Sequence, residues 1–445
     1  MKKTFTILLA AIMVMACAVP AFAESTNVSY NVDPSYTVAI PDAVTLGDTA
    51  VTADITASDV IMEDGKQIKV DLTAASNTAS GSTFNAKNGD STVTYTITGD
   101  EAIAVGDTVA TFTADGSKTL TFSAADKSAA TVAGAHTETL TFTISMEEKK
   151  TDLSTLTADY TAQDGDVLTG TIASNNKITV ASGATVTLKN VNISGVNNNS
   201  YKWAGITCDG DATLILEGEN TVKGFAAAYP GIYVPEGSTL TIKGNGSLDA
   251  SSNGAGAGIG GGNSITCGNI VIEGGTITAT GGADAAGIGS GKQASCGDII
   301  ISDGTITATC DSYAAGIGSG KQASCGDITI SGGTINATGG YDGAGIGSGK
   351  KASCGNIAIN GGTVTASGGG ADGAGIGGGI SASCGDITIQ NTVTKVTAKK
   401  GFAFGDLLPR SIGKGGDTNS SCGTVTIGGT VYVDGISDSP YTYQP

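Results

Sequence analysis

The residues with most chemical promise in this chain recur at fixed spacing. AAGIGSGKQASCGDI runs from Ala285 to Ile299 and returns unchanged from Ala314 to Ile328, combining a glycine-rich loop, a lysine, a cysteine and a carboxylate. A phosphate loop requires G-x-x-x-x-G-K-[ST], so that amides wrap the phosphate and a hydroxyl meets magnesium. Here Ala286 stands where the first glycine belongs and Gln293 follows Lys292, which removes both functions. The dinucleotide fingerprint fails too, because the spacing is G-x-G-x-G and no βαβ unit surrounds it. The cysteines Cys267, Cys296, Cys325, Cys354, Cys384 and Cys422 follow one another at intervals of 29, 29, 29, 30 and 38 residues, and Cys208 is read as an earlier member of the same column. Zinc sites draw on paired C-x-x-C units. One cysteine per unit gives instead a ladder of small apolar side chains, or of disulfides between adjacent units in which seven members leave one unpaired. Cys310 stands apart, in a loop.

Two more columns keep the period: Asp284, Tyr313, Asp342 and Asp372, and Asn269, Asp298, Asp327, Asn356 and Asp386. In the second, Asp298, Asp327 and Asp386 are candidates for sharing a hard cation such as calcium, the single cofactor the sequence suggests. The calcium nonapeptide G-G-x-G-x-D-x-U-x is missing, however, and Asp or Asn at a tight corner is an ordinary turn residue. Lys292, Lys321 and Lys350 form a cationic stripe whose repulsion calls for Asp298 and Asp327, or an anionic ligand, to offset it. The stripe suits contact with an acidic polysaccharide, or an edge protected from aggregation. Tyr201 and Trp203, with Tyr229 and Tyr233, offer flat faces to sugar rings or fill space near one end. No residue reads as catalytic. The single histidine, His136, falls in a strand or turn of the first module, and the single arginine, Arg410, follows Pro409 in the closing segment. The expectation is a protein without enzymatic activity.

The elements that must position these residues follow from the period itself. A repeat of 20 to 50 residues means a solenoid. Within one unit Asp327-Ile328-Thr329-Ile330 alternates, Gly332-Gly333 turns, Thr334 to Thr338 alternates again, Gly339-Gly340 turns, and Ala344-Gly345-Ile346-Gly347 supplies a third, smaller face. Three short strands and three corners make one coil of a three-faced parallel β-helix with isoleucines inward and threonines outward. About eight coils spaced by ~4.8 Å form the rod over residues 151–445. The segment from Asp152 to Val196 reads as irregular opening coils. Phe402, Phe404, Leu407, Leu408 and Pro409, then Cys422 to Val433, read as the closing cap. An uncapped end is an open edge, which brings end-to-end self-association into view.

Residues 24–150 carry no long repeat. Alternating runs such as SYTVAIP, IKVDLTA, TVTYTITG, TLTFSA and ETLTFTISM, separated by Asp64-Gly65, Asn88-Gly89 and Asp115-Gly116, predict about seven antiparallel strands in a β-sandwich. Before them, Lys2 and Lys3 precede the apolar run Phe5 to Val19 and the small-x-small site Ala21-Phe22-Ala23, a signal segment over residues 1–23. The expected location is therefore outside the cell, free or held at its surface, with no membrane insertion. Removing Lys2 and Lys3 leaves 21 basic against 41 acidic residues. That balance argues against nucleic acid, which demands a basic face.

SYTVAIP and ETLTFTISM resemble the opening and close of the N-terminal β-sandwich modules of Firmicutes surface proteins. GAGIGGG, AGIGSG and CGDITISGGTITATGG resemble the β-helical carbohydrate-binding-domain and adhesin-like surface proteins of anaerobic Firmicutes. The resemblance implies a non-enzymatic protein that binds a polysaccharide or another host or bacterial surface ligand. Two further readings stand beside it. One is a structural stalk or protein-binding adhesin. The other is a polyuronide lyase or hydrolase, because pectate lyases and polygalacturonases share the fold; the Asn-Thr-Asp, Asp-Asp and Gly-His-Gly motifs of polygalacturonases are missing here.

Overall fold

The computed structural model describes residues 33–63, 65–402 and 408–445. The signal segment, Asp64, Phe404 and Leu407 lie outside the described residues.

The first module is a pair of antiparallel sheets, all-β like the rest of the chain. One contains, in spatial order, Ser35–Ala39, Val51–Ile61, Gly116–Phe122, Ser91–Thr98 and Thr83–Asn88, with Ala102–Ile103 beside Ser91–Thr98. The other places Lys66–Ala75 between Thr108–Phe112 and Leu140–Glu148. Alternation does the sorting, since successive side chains in a strand point to opposite faces. Ile68, Val70 and Leu72 are fully buried between the sheets with Phe84, Ile97 and Phe122. The last strand runs on into Lys150–Asp152, the first strand of the second module.

From there the chain winds as a parallel β-solenoid of about eight turns. One ladder stacks Asn269–Ile272, Ile299–Ile301, Ile328–Ile330, Ile357–Ile359 and Ile387–Ile389. A second stacks Thr276–Gly281, Thr305–Cys310, Thr334–Thr338, Thr363–Ser367 and Lys395–Lys399. The third stacks the Ile-Gly pairs from Ile259 to Ile412 and extends back through Ile232 and Ile206. Partners sit directly in line, so Ile328 lies between Ile299 and Ile357, and every inward isoleucine of these faces is buried. Full burial of one such side chain contributes about 1.5–3 kcal/mol. The outward residues of the second face are mostly threonine, which suits a pleated surface open to water on one side.

Corners are held by side chains that reach the next coil. Oγ of Ser290, Ser319 and Ser348, all fully buried, accepts the N–H of Gly320, Gly349 and Gly379 at 2.9, 3.2 and 3.4 Å. The coils also approach closely on the third face: Gly260, Gly289, Gly318, Gly347 and Gly377 hold φ between 129° and 131°, where a Cβ would strike the carbonyl of the next coil. At the closing end Thr430–Tyr432 folds back antiparallel on Val425–Ile427, and Tyr441–Tyr443 lies antiparallel to Lys395–Lys399. The first of these strands lies in the closing segment Cys422 to Val433 expected to cap the solenoid, whereas Phe402 and Leu408, expected to share that task, are exposed at 76% and 52%.

Candidate functional site

The loop from the second face to the third brings one candidate column to the lysine stripe. Lys321 donates its backbone N–H to Asp284 O, Lys350 to Tyr313 O and Ile380 to Asp342 O, so the loop of one coil lies against the corner of the next. Asp284 and Asp342 are 8% and 5% exposed. Asp284 Oδ2 lies 3.0 Å from Lys292 Nζ and 3.4 Å from Lys321 Nζ, and Asp342 Oδ2 lies 2.7 Å from Lys350 Nζ. The hydrogen bond to Asp342 holds the Lys350 ammonium above the ordinary lysine value, against a smaller opposing effect of burial. Lys321 and Lys350 also stand over the ring of Tyr313, at 4.4 and 4.6 Å from its centroid. Tyr341, half exposed, meets Tyr313 edge to face at 6.2 Å. The lysines are therefore offset by Asp284 and Asp342, not by Asp298 and Asp327 as the spacing suggested, because the loop folds over the corner.

Beside this cluster runs a shallow groove of about 560 Å³ along the solenoid axis. Its lining repeats with the coils: Gln293, Gln322, Lys351 and Ser381 form one row, and Ser295, Ser324, Ser353 and Ser383 another. The first four have φ between 51° and 53°, an unusual backbone for residues other than glycine. Gln293, Gln322 and Lys351 are exposed there, while Ser381 is held by Asp417. Gln293 Nε2 donates to Gln322 Oε1 at 3.4 Å, and Ser324 Oγ donates to Ser295 Oγ at 2.9 Å. Amides and hydroxyls stacked at coil spacing present a line of matched donors and acceptors to a ligand that itself repeats.

The other candidates are placed elsewhere. Tyr201 and Trp203 pack against the core with Phe225: Trp203 is 5.3 Å from Tyr201 at 63° and 5.9 Å from Phe225 at 49°. Both are half-buried and help to fill an early coil. Tyr233 also leans on the core, and burial raises its phenol above the ordinary value. Tyr229 is half-buried.

Asp298, Asp327 and Asp386 serve the corners. Asp298 Oδ1 accepts the N–H of Asp327 at 2.8 Å, Asp327 Oδ1 that of Asn356 at 2.7 Å, and Asp386 Oδ1 that of Thr424 at 2.6 Å. Asn269 and Asn356 do the same for Asp298 and Asp386, at 2.9 and 3.0 Å. Each of these carboxylates spends one oxygen on the next coil, and Asn269 and Asn356 interrupt the charge of the column. Among the described residues no group of three or more His, Cys, Asp or Glu side chains is arranged to hold a metal.

The cysteine column occupies its own corner, where Ser324–Cys325, Ser353–Cys354, Ser383–Cys384 and Ser421–Cys422 form a fourth, short parallel ladder. Cys267 and Cys296 are joined as a disulfide. Cys208 does not belong to the column. It lies two residues past Ile206 on the third face, paired in register with Val180, whereas Cys296 follows Ile288 by eight. Buried there, its thiol is pushed up to about 12. Cys310, at the end of its strand, gives its thiol hydrogen to Ala314 O at 2.9 Å, and burial raises it to about 11. Of the described residues, His136 sits in the first module with Nε2 2.8 Å from Ser91 Oγ, far along the chain from the groove.

Tyr341 is the residue that reading the sequence missed. It stands one place before the Asp284, Tyr313, Asp342, Asp372 column, where the equivalent loops carry Ala283, Ser312 and Ala371, and an aromatic at a loop tip was the available signal.

Residues 240–263, 270–292, 299–321, 328–350 and 357–380 match the family model described as Beta helix repeat. The matched segments begin on the first face, and three of them end on Lys292, Lys321 and Lys350. No curated protein and no solved structure matches the chain. Ladders, corners and matched segments coincide, and the part of the chain after Lys150 is a parallel β-helix built on this repeat.

Proposed function

We propose that this is an exported, non-enzymatic protein that binds an extended polysaccharide along the flank formed by Tyr341, Tyr313, the lysine column and the adjoining groove. The observation that carries the reading is the half-exposed Tyr341, braced edge to face by Tyr313 beside a line of amides and hydroxyls with the period of the coils. A tyrosine ring offers an apolar face to a sugar ring and a polar tip to its hydroxyls. Because Asp284 and Asp342 neutralise most of the lysine charge, the flank suits a neutral or weakly acidic glycan better than a strongly acidic one. The likeness to carbohydrate-binding surface proteins points the same way.

The test is a glycan array probed with the chain from Glu24 onward, followed by titration of each glycan retained. Tyr341→Ala is expected to weaken binding about tenfold, the loss of one aromatic contact worth about 1–1.5 kcal/mol. Lys321→Glu is expected to weaken it further, while Trp203→Ala, if folded, leaves the groove untouched. Retention of no glycan sinks the proposal in favour of a stalk or protein-binding adhesin. Release of unsaturated products from pectin replaces it with a lyase.

A further inference from the structure

We propose that the six cysteines of the corner column close into three staples between adjacent coils, Cys267–Cys296, Cys325–Cys354 and Cys384–Cys422, the second and third forming on exposure to a disulfide-bearing oxidant. The first staple is in place, with its Cα atoms 4.5 Å apart. The other two pairs stand in the same relation, since Cys325 and Cys354 are direct ladder partners, as are Cys384 and Cys422. Neighbouring parallel strands lie ~4.8 Å apart, inside the span of roughly 4.4–6.8 Å that a disulfide bridges. Neighbouring thiols also act on one another: beside Cys325 and Cys384 the Cys354 thiol is held well above the ordinary value, and beside Cys354 and Cys422 so is that of Cys384.

Parity selects the pairing. With Cys208 on another face and Cys310 at the end of a strand on the second, the column has six members. Once Cys267 and Cys296 are joined, four remain in line, and contacts exist only between neighbours. Joining Cys354 to Cys384 strands Cys325 and Cys422, whereas Cys325–Cys354 with Cys384–Cys422 leaves none. The column is also reachable. Ser295, Ser324, Ser353 and Ser383, each one residue before a column cysteine, line the open groove, and Cys422 is only half-buried.

The chemistry is thiol–disulfide exchange. A thiolate of the pair, Cys422 for example, attacks one sulfur of the oxidant R–S–S–R, and R–SH leaves. Cys384 then attacks the Cys422 sulfur of the mixed disulfide and expels the second R–SH. Two cysteine thiols lose two electrons and two protons, and the oxidant gains both as two thiols. The raised thiol values of Cys354, Cys384 and Cys422 keep these groups protonated at neutral pH, so the reaction is slow and favoured by alkaline solution.

The full chain is incubated with oxidised glutathione at mildly alkaline pH until labelling no longer changes, then unfolded, alkylated and mapped by peptide mass spectrometry without reduction. The expected result is alkylation confined to Cys208, Cys310 and, where the N-terminal segment is retained, Cys17, with cross-linked peptides Cys325–Cys354 and Cys384–Cys422. Cys354→Ser is expected to free Cys325 for alkylation while Cys384–Cys422 still forms. Alkylation of all four of Cys325, Cys354, Cys384 and Cys422 after oxidation overturns the proposal. So does a Cys354–Cys384 cross-link as the main product in the unsubstituted chain.

Discussion

Gly318→Ala tests whether close approach of the coils on the third face holds the solenoid together. A Cβ on Gly318 would lie 1.9 Å from Gly347 O, 2.9 Å from Gly347 C and 3.2 Å from Ile328 Cδ1. Ordinary contact begins near 3.4 Å, so the two coils would have to part by about 1.5 Å at this point. The carbonyl is not free to turn aside, because it accepts the N–H of Ser319 at 3.0 Å. Losing that bond costs about 1 kcal/mol. Holding alanine at a φ of 131° costs about 1–3 kcal/mol more. The sum is about 2–4 kcal/mol, concentrated at one joint of a structure in which each coil contacts only its neighbours. Gly237→Ala is the control: its φ is 80°, but a Cβ there meets nothing within 4 Å, and the expected cost is about 1 kcal/mol. Urea unfolding of the full chain is followed by far-ultraviolet circular dichroism and by the emission of Trp203, the single tryptophan. Gly318→Ala is expected to add an early circular dichroism transition from the later coils while the Trp203 midpoint stays close to its original value. A loss no larger than that of Gly237→Ala, or both signals shifting together, refutes the argument.

Asp284→Asn keeps a residue that tolerates its φ of 67° but removes the partner of Lys292 and Lys321. A loss of about 2 kcal/mol is expected from urea unfolding, shrinking in high salt. In the first module, burial raises the Glu138 carboxyl above the usual range, although Tyr95 donates to it at 2.8 Å. A raised folded value favours the native state at low pH, and that stability is lost as pH climbs from the ordinary glutamate value through the raised one. Glu138→Gln should therefore flatten the acid side of the module's stability profile, measured by near-ultraviolet circular dichroism at several pH values; parallel profiles would rule this out. Trp203 Nε1 is buried without a hydrogen-bond partner, so Trp203→Phe gives up packing against Tyr201 and Phe225 but no hydrogen bond; a loss of about 1–3 kcal/mol is expected, and a larger one measured by calorimetry would count against this.

Much of the fold was legible because the constraint is local and repeated. Alternation at Ile328-Thr329-Ile330 names the inward side chains, and a constant 29-residue interval means that the same answer holds in each coil. The site was less legible, because its geometry joins different coils. Asp284 and Lys321 are 37 residues apart, and only the fold of the loop over the corner brings them together. Nothing in the letters distinguishes that carboxylate from Asp298, which has a lysine six residues before it and caps an amide instead. Cys208 misled for a related reason. Its neighbours, DGDATLIL, resemble the residues after a column cysteine, but the column is defined by distance from the inward isoleucine, and there it differs.

The in-line register of the ladders has a genetic consequence. A coil added or deleted as a whole presents the same serines, glycines and isoleucines to either neighbour, so tandem duplication or unequal recombination would change the reach of the molecule while the ladders stay in register, and a change by two coils would also keep the cysteines paired. The two places where the interval departs from 29, between Cys354 and Cys384 and between Cys384 and Cys422, leave Ile346, Ile376 and Ile412 stacked as before. Length in this protein is a heritable variable, each coil bringing its own share of packing, and variation among related genes is expected first in the number of coils.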